Sequence, residues 1–203
     1  MIWLTSFENR TLFLKYDVHQ KVAICVVHRH FDLAENEKLV QFNSVIAPWC
    51  VDDSPDYLIP GIRAKNWAFL NDGALFPYEF RFTPQPDPTA STHENEMPFP
   101  LSFSNELYDT MVTYGLQDVY GLVAVEPDDV DPTTPTKLEF TAGRTSVLVP
   151  MTPEMENMAR VEAVWVFPCA TPFTGPFGPD GLIKTRFCAL ACRGHSDPDP
   201  GGP

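Results

Sequence analysis

The chain has 203 residues, which is enough for one domain with a sizeable core and too short for two full domains. Hydrophobic residues make up 44% of it and aromatic residues 12%, which indicates a folded rather than a disordered protein. The formal net charge is -13, from 14 basic and 27 acidic residues. The basic residues form no stripe, so this composition excludes nucleic acid and anionic membranes as partners.

The N-terminal residues show neither the basic start nor the clean apolar run of a signal peptide. No segment approaches the roughly 18–20 apolar residues of a membrane-spanning helix. We therefore expect a soluble, cytoplasmic protein. Its five cysteines are an odd number and do not resemble a disulfide framework.

Short segments with alternating apolar residues predict eight or nine strands. In chain order they are 11–16, 22–31, 39–47, 75–82, 119–126, 137–141, 145–151, 160–167 and 181–190. The pair 137–141 and 145–151 predicts a hairpin around Ala142 and Gly143. In 75–82, the aromatic residues are expected on one face and Glu79 with Arg81 on the other.

Two short helices are expected between these strands. One runs from Ser104, a suitable cap, to Gly115, which can end it. The other covers 152–159, with Thr152 as its cap and Pro153 in its first position. The predicted fold is mainly β, a single-domain barrel or curved sandwich of eight or nine strands, or an α+β fold with few helices.

Proline clusters mark the expected connections, because proline cannot donate a hydrogen bond to a sheet. They lie at 83–100, 126–136 and 168–181. We predict one β-rich domain over 1–195 and a disordered tail over 196–203.

The strand 22–31 carries the most informative pattern in the chain. Both of its rows of side chains begin apolar, so a central strand buried on both sides is predicted. His28 and His30 continue the row of Val22 and Ile24 where the chain leaves the sheet. Two imidazoles spaced in this way can reach one metal ion, and Glu35 follows as a third candidate ligand.

The string from His28 to Glu35, HRHFDLAE, resembles the first motif of the cupin family. In cupins the corresponding residues are three of four metal ligands inside a small β-barrel, so the resemblance implies a site of His28, His30 and Glu35. The chain departs from the cupin pattern at Val22 and Phe42, where cupins have glycine. His93 is not followed by asparagine at the cupin spacing, so no fourth ligand is assigned.

Other interpretations of the histidines remain open. They can be metal-free acid/base or ligand-contacting groups, or structural residues bonded to carbonyls or carboxylates. A second cluster, Cys188, Cys192 and His195 with Cys169 upstream, admits a structural zinc, a disulfide or unpaired thiols. The aspartate runs at 52–56 and 128–131 lack the order of a calcium loop and are interpreted as solvated charges.

These observations leave two functional hypotheses. The first is a small-molecule-binding barrel, possibly an enzyme, with His28 and His30 as catalytic or metal-binding groups at a pocket mouth and Arg29, Trp49 and Phe80 as ligand contacts. The alternative is a non-enzymatic interaction protein with an acidic surface, a Pro-rich loop at 83–100 and structural histidines. No nucleotide-binding motif is present, so a nucleotide cofactor is not expected. An aromatic-lined cavity containing both imidazoles favours the first hypothesis.

Overall fold

The computed structural model describes residues 7–50, 61–84, 97–126, 134–167 and 183–189. Ten strands form a closed barrel, and two helices accompany it, which confirms the prediction of a mainly β fold. The strands are β1 (Val22–Val26), β2 (Glu37–Phe42), β3 (Val45–Cys50), β4 (Ile62–Phe69), β5 (Leu75–Phe82), β6 (Tyr120–Ala124), β7 (Lys137–Ala142), β8 (Thr145–Pro150), β9 (Arg160–Val166) and β10 (Ile183–Ala189). The helices are α1 (Phe7–Lys15) and α2 (Leu101–Thr113), and Pro153–Met155 forms one 3-10 turn.

Around the barrel the strands follow the order β1, β6, β4, β5, β2, β3, β8, β7, β10, β9, and β9 pairs back to β1. Two neighbouring pairs, β2 with β5 and β7 with β10, are parallel, and the others are antiparallel. Sequence neighbours therefore do not always lie side by side, and side chains from distant parts of the chain meet inside the barrel.

The two faces of β1 belong to different parts of the core. Val22 and Ile24 pack with the helices in the main apolar cluster. In that cluster the Phe13 ring lies 4.9 Å from Phe103 and 4.4 Å from Phe167. Ala23 and Cys25 point the other way, into a small cluster inside the barrel. The expected central strand is therefore confirmed over five residues, with both faces buried.

Several predicted boundaries were wrong. The segment 11–16 lies in helix α1 and its continuation, because Leu12, Phe13 and Tyr16 are spaced to share a helical face that packs on α2. The segment 39–47 is a hairpin of two strands that turns at Asn43, which has a φ of 53°. Strand β4 was not predicted. One predicted strand is lost and two are gained, so the structure has ten strands in the described residues rather than nine.

Helix α2 begins three residues before the expected cap. Pro100 precedes its first turn, and the Ser104 hydroxyl donates to the Leu101 carbonyl inside the helix, at 2.9 Å. Gly115 follows the last turn at a φ of 66°, as expected for a residue that ends a helix. The predicted second helix is reduced to the 3-10 turn after Thr152.

The expected faces of β5 are also wrong in one respect. Glu79, expected on the face opposite the aromatic side chains, is only 5% exposed. The pairing of β4 with β5 is irregular on both sides of Asn66, and a bulge breaks the two-residue alternation that the expectation assumed. Tyr78 and Glu79 consequently both approach Asn66.

Most of each Pro-rich loop lies outside the described residues, as do the aspartate runs, Cys169, Cys192, His195 and the tail 196–203. The predictions made for these segments stay predictions. Within the described ranges, neither helix is long and apolar enough to cross a bilayer.

Gly121 tests how tightly the strands are packed beside β1. A Cβ atom at this position would overlap the Trp67 carbonyl oxygen and lie 2.9 Å from the Val27 side chain. We expect Gly121→Ala to lower the free energy of unfolding by about 3 kcal/mol, measured by urea denaturation. Gly143→Ala is the control, because a Cβ there meets open space and costs only the strain of a φ of 62°, about 1 kcal/mol. Equal losses in the two variants would contradict this packing argument.

Candidate functional site

His28 and His30 lie just beyond the end of β1. The last ladder bond of this region joins the Val27 amide to the Val119 carbonyl, at 2.8 Å. Beyond it, both imidazoles line the barrel cavity that Cys25 also lines, whereas Val22 and Ile24 face the helices. Val26, which belongs to the row of Val22, also lines this cavity. Regular strand alternation ends at Val26, so the continuation of that row through His28 and His30 stays a prediction.

The imidazoles separate two cavities. The mouth cavity, about 320 Å³ in volume, is lined by the chain after β1 together with β2 and β5, and both histidines border it. The interior cavity, about 20 Å³, is lined by residues of seven strands and by the same two histidines. Its volume suffices for about one water molecule. His28 and His30 thus form the floor of an open pocket above a nearly filled polar interior.

His28 is held as a neutral imidazole. Its Nδ1 lies 3.0 Å from the Val26 carbonyl oxygen. Because a carbonyl can only accept, Nδ1 carries the proton and Nε2 keeps its lone pair. Burial lowers the pKa of His28 below its ordinary value of 6.5, the attraction of Glu139 opposes this shift, and the neighbouring His30 adds to it. At neutral pH, Nε2 therefore carries the lone pair of the ring and is the atom that can accept a proton.

His30 connects three further groups. Its Nε2 lies 3.1 Å from a Glu139 carboxylate oxygen and 3.8 Å from the Cys188 sulfur, and its ring stands edge-on to His28 with centroids 4.6 Å apart. The other Glu139 oxygen lies 4.0 Å from Arg186. These contacts order a compact polar cluster of buried and half-buried groups.

Glu139 stays ionised in this cluster. Burial by itself would raise the pKa of this carboxyl, but the hydrogen bond with His30 and the charge of Arg186 outweigh burial and lower the pKa to about 2. The carboxylate therefore supplies a fixed negative charge beside His30 at all physiological pH values.

A second set of buried polar side chains lies in the barrel interior, on the side of β4 and β5. The Asn66 amide donates to Glu79 at 3.1 Å, and Lys65 lies 3.8 Å from the same carboxylate. The Cys25 sulfur lies 3.6 Å from the Tyr78 hydroxyl, and burial raises the pKa of this thiol to about 12. Cys25 is therefore a protonated thiol and an unsuitable nucleophile.

Some of the other residues predicted to bind a ligand or metal line the mouth cavity, and one does not. Arg29, Glu35 and Phe80 line the mouth cavity with the histidines. Glu35 is exposed, and its carboxylate does not belong to the group of closely spaced donor atoms beside the two imidazoles. Trp49 packs against Phe82, with ring centroids 5.1 Å apart, and is not among the lining residues.

The group of closely spaced donor atoms consists of His28, His30 and Cys188, whose ligand atoms all lie within 4.8 Å of one another. Cys188 is fully buried on β10. Its predicted partners were Cys192 and His195, which are near it in sequence, whereas Glu139 and Arg186 were not predicted. The one signal for Glu139 is a carboxylate within an apolar strand, which alone does not reveal its partner.

Acid pH tests the charge states of His28 and Glu139. His28 has a lowered pKa in the folded protein, so its contribution to stability is present above about pH 6.5 and is lost as the pH falls below that value. The contribution of Glu139 is present above its ordinary pKa of 4.5 and is lost as the pH falls towards about 2.

We therefore expect His28→Gln to reduce the loss of unfolding free energy between about pH 7.5 and 5.5, measured by urea denaturation. Glu139→Gln reduces the loss of unfolding free energy below about pH 4.5. It does not reduce the loss between about pH 7.5 and 5.5, because it removes the charge that opposes the lowering of the His28 pKa. His19→Gln, in the turn between α1 and β1, is the matched control. A His28→Gln protein that is as sensitive as the wild type between these pH values would show that the assigned charge state is wrong.

Comparison with protein-family models, curated proteins and solved structures found no match to this chain.

Proposed function

We propose that the protein binds a small organic molecule in the mouth cavity, with His28 as the group that accepts its proton or hydrogen bond. The observation that carries the proposal is one pocket of about 320 Å³ that contains both imidazoles. This volume lies at the lower end of the range found for ligand sites, about 300–1,000 Å³. The neutral Nε2 of His28 supports a role in proton transfer near neutral pH.

The walls of the pocket favour a flat, largely apolar ligand. Phe31, Phe76, Tyr78 and Phe80 all border it. Lys38 lies over the Phe80 ring, 4.7 Å from its centroid, and Glu37 pairs with Arg144. Lys38 and Glu37 at the rim therefore already have partners, while aromatic surface faces the cavity. A ring compound with one polar group suits this lining.

A cytoplasmic location forms part of the proposal. Cys25, Cys50 and Cys188 form no disulfide with one another, which supports a reducing compartment. The alternative role in protein interaction depends on the Pro-rich loop, of which 85–96 lie outside the described residues, so it stays a prediction.

The pocket is tested with aromatic fragments that carry a hydroxyl or carbonyl group, screened by saturation-transfer NMR. We expect Phe76→Ala to weaken the binding of the hits by about two- to tenfold, because it removes one aromatic wall. Phe76 is 52% exposed, so its loss should leave the fold intact. Phe42→Ala is the matched control, since Phe42 is also exposed, at 38%, and does not line the cavity. Absence of hits, or equal binding by both variants, would contradict the proposed pocket.

A further inference from the structure

We propose that His28, His30 and Cys188 bind a soft divalent metal ion of the zinc class at the floor of the mouth cavity. The site differs from the one predicted from the sequence, because a thiolate of β10 takes the place of Glu35. The inference rests on the proposed function and deepens it at the same site: with the metal bound, the Nε2 of His28 coordinates the ion, and the ion rather than the imidazole takes the polar group of the ligand. Its test measures the metal alone.

The distances between the donor atoms suit zinc. Zn–N bonds of about 2.0–2.1 Å and a Zn–S bond of about 2.3 Å place the two nitrogens and the sulfur of a tetrahedral site about 3.3–3.6 Å apart. The Cys188 sulfur lies 3.8 Å from the Nε2 of His30, which hydrogen-bonds with Glu139, and no pair of candidate ligand atoms in the group exceeds 4.8 Å. Small side-chain rotations, which move these atoms by about 1 Å or less, therefore close the site. Coordination through the Nε2 of His30 requires it to release its proton and its hydrogen bond to Glu139.

The surroundings of His28 are those of a metal ligand. Metal-bound histidines usually donate their other ring nitrogen to a carbonyl or carboxylate, which fixes the tautomer and the ring orientation. The contact from Nδ1 to the Val26 carbonyl, at 3.0 Å, does this for His28. This contact fixes the proton on Nδ1 and the lone pair on Nε2.

Charge balance also favours a dication. A buried dication needs negative partners, and zinc deprotonates a coordinating thiol. The Cys188 thiolate supplies one negative charge, while the charge of Glu139, adjacent to His30, is offset by Arg186. Arg186 lies 4.0 Å from the outer oxygen of Glu139 and holds the carboxylate in place.

The donor set selects among metals. A thiolate and two imidazoles prefer zinc and similar ions to magnesium or calcium, which take oxygen ligands. Three protein ligands leave a fourth position, as in catalytic zinc sites. Both histidines border the mouth cavity, so that position is where a water molecule or the polar group of a bound molecule would coordinate.

The test uses the full chain, stripped with a chelator and titrated with Zn²⁺ and with Co²⁺. We expect one equivalent of Zn²⁺ by elemental analysis, and a thiolate-to-cobalt charge-transfer band with Co²⁺. Cys188→Ala and His28→Gln should each weaken Zn²⁺ binding by more than about 100-fold, because the loss of an outer partner alone costs about 10- to 100-fold. His28 is only half-buried, so its variant keeps the test valid if Cys188→Ala fails to fold.

Two control variants identify the site. Cys50→Ser changes an exposed thiol and should keep full Zn²⁺ binding together with the cobalt charge-transfer band. Cys192→Ser should also keep binding, because Cys192 does not belong to the proposed ligand set. A zinc knuckle of Cys188, Cys192 and His195 would instead lose Zn²⁺ in Cys192→Ser and keep it in His28→Gln, and that result would overturn the proposal.

Absence of stoichiometric Zn²⁺ in the wild-type protein would overturn the metal site as well. Fragment binding by the stripped protein, measured separately, shows whether the proposed pocket survives that result. Failure of the metal site and failure of the pocket are therefore distinguished by two independent measurements.

Discussion

Closure of the barrel through β1 is the constraint on which the rest of the structure depends. This five-residue strand pairs with β6 on one side and β9 on the other, so it joins the two ends of the sheet. Its outer residues anchor the helices and its inner residues reach the barrel interior. The chain that leaves β1 is thereby fixed at the mouth, where it presents His28 and His30 to the cavity.

The interior of the barrel is polar, so the fold requires its buried charges to be paired. Lys65, Glu79, Glu139 and Arg186 are each less than 9% exposed. Buried charges cost free energy unless they are paired, and here each carboxylate lies within 4.0 Å of a cation. Such an interior contributes less to stability than an apolar one would, but it places ionised groups next to the imidazoles. The candidate site is the end of this network that reaches the mouth.

The site depends on contacts between distant parts of the sequence. His30 and Cys188 are 158 residues apart, and Glu139 lies between them in the chain. They meet because β10 pairs with β7 and β9, and β9 pairs with β1. The parallel pairing of β7 with β10 sets Glu139 directly beside Cys188. No local spacing rule connects these three residues.

The alternation of apolar residues determined the β class of the fold, the central position of β1 and the bounds of strands such as β5, because a strand buries one face with a period of two. The paired histidines lie just beyond the end of β1, next to the mouth cavity. Only the tertiary structure decided that 11–16 is helical, since its contacts with α2 outweigh the local pattern. The tertiary structure also decided that Glu79 is buried, because the pairing of β4 with β5 is irregular there. It decided as well that Cys188, rather than Glu35, lies beside the histidines. Bulges, bends and non-sequential pairing carry no signature in local periodicity, because they are fixed by the closure of the barrel.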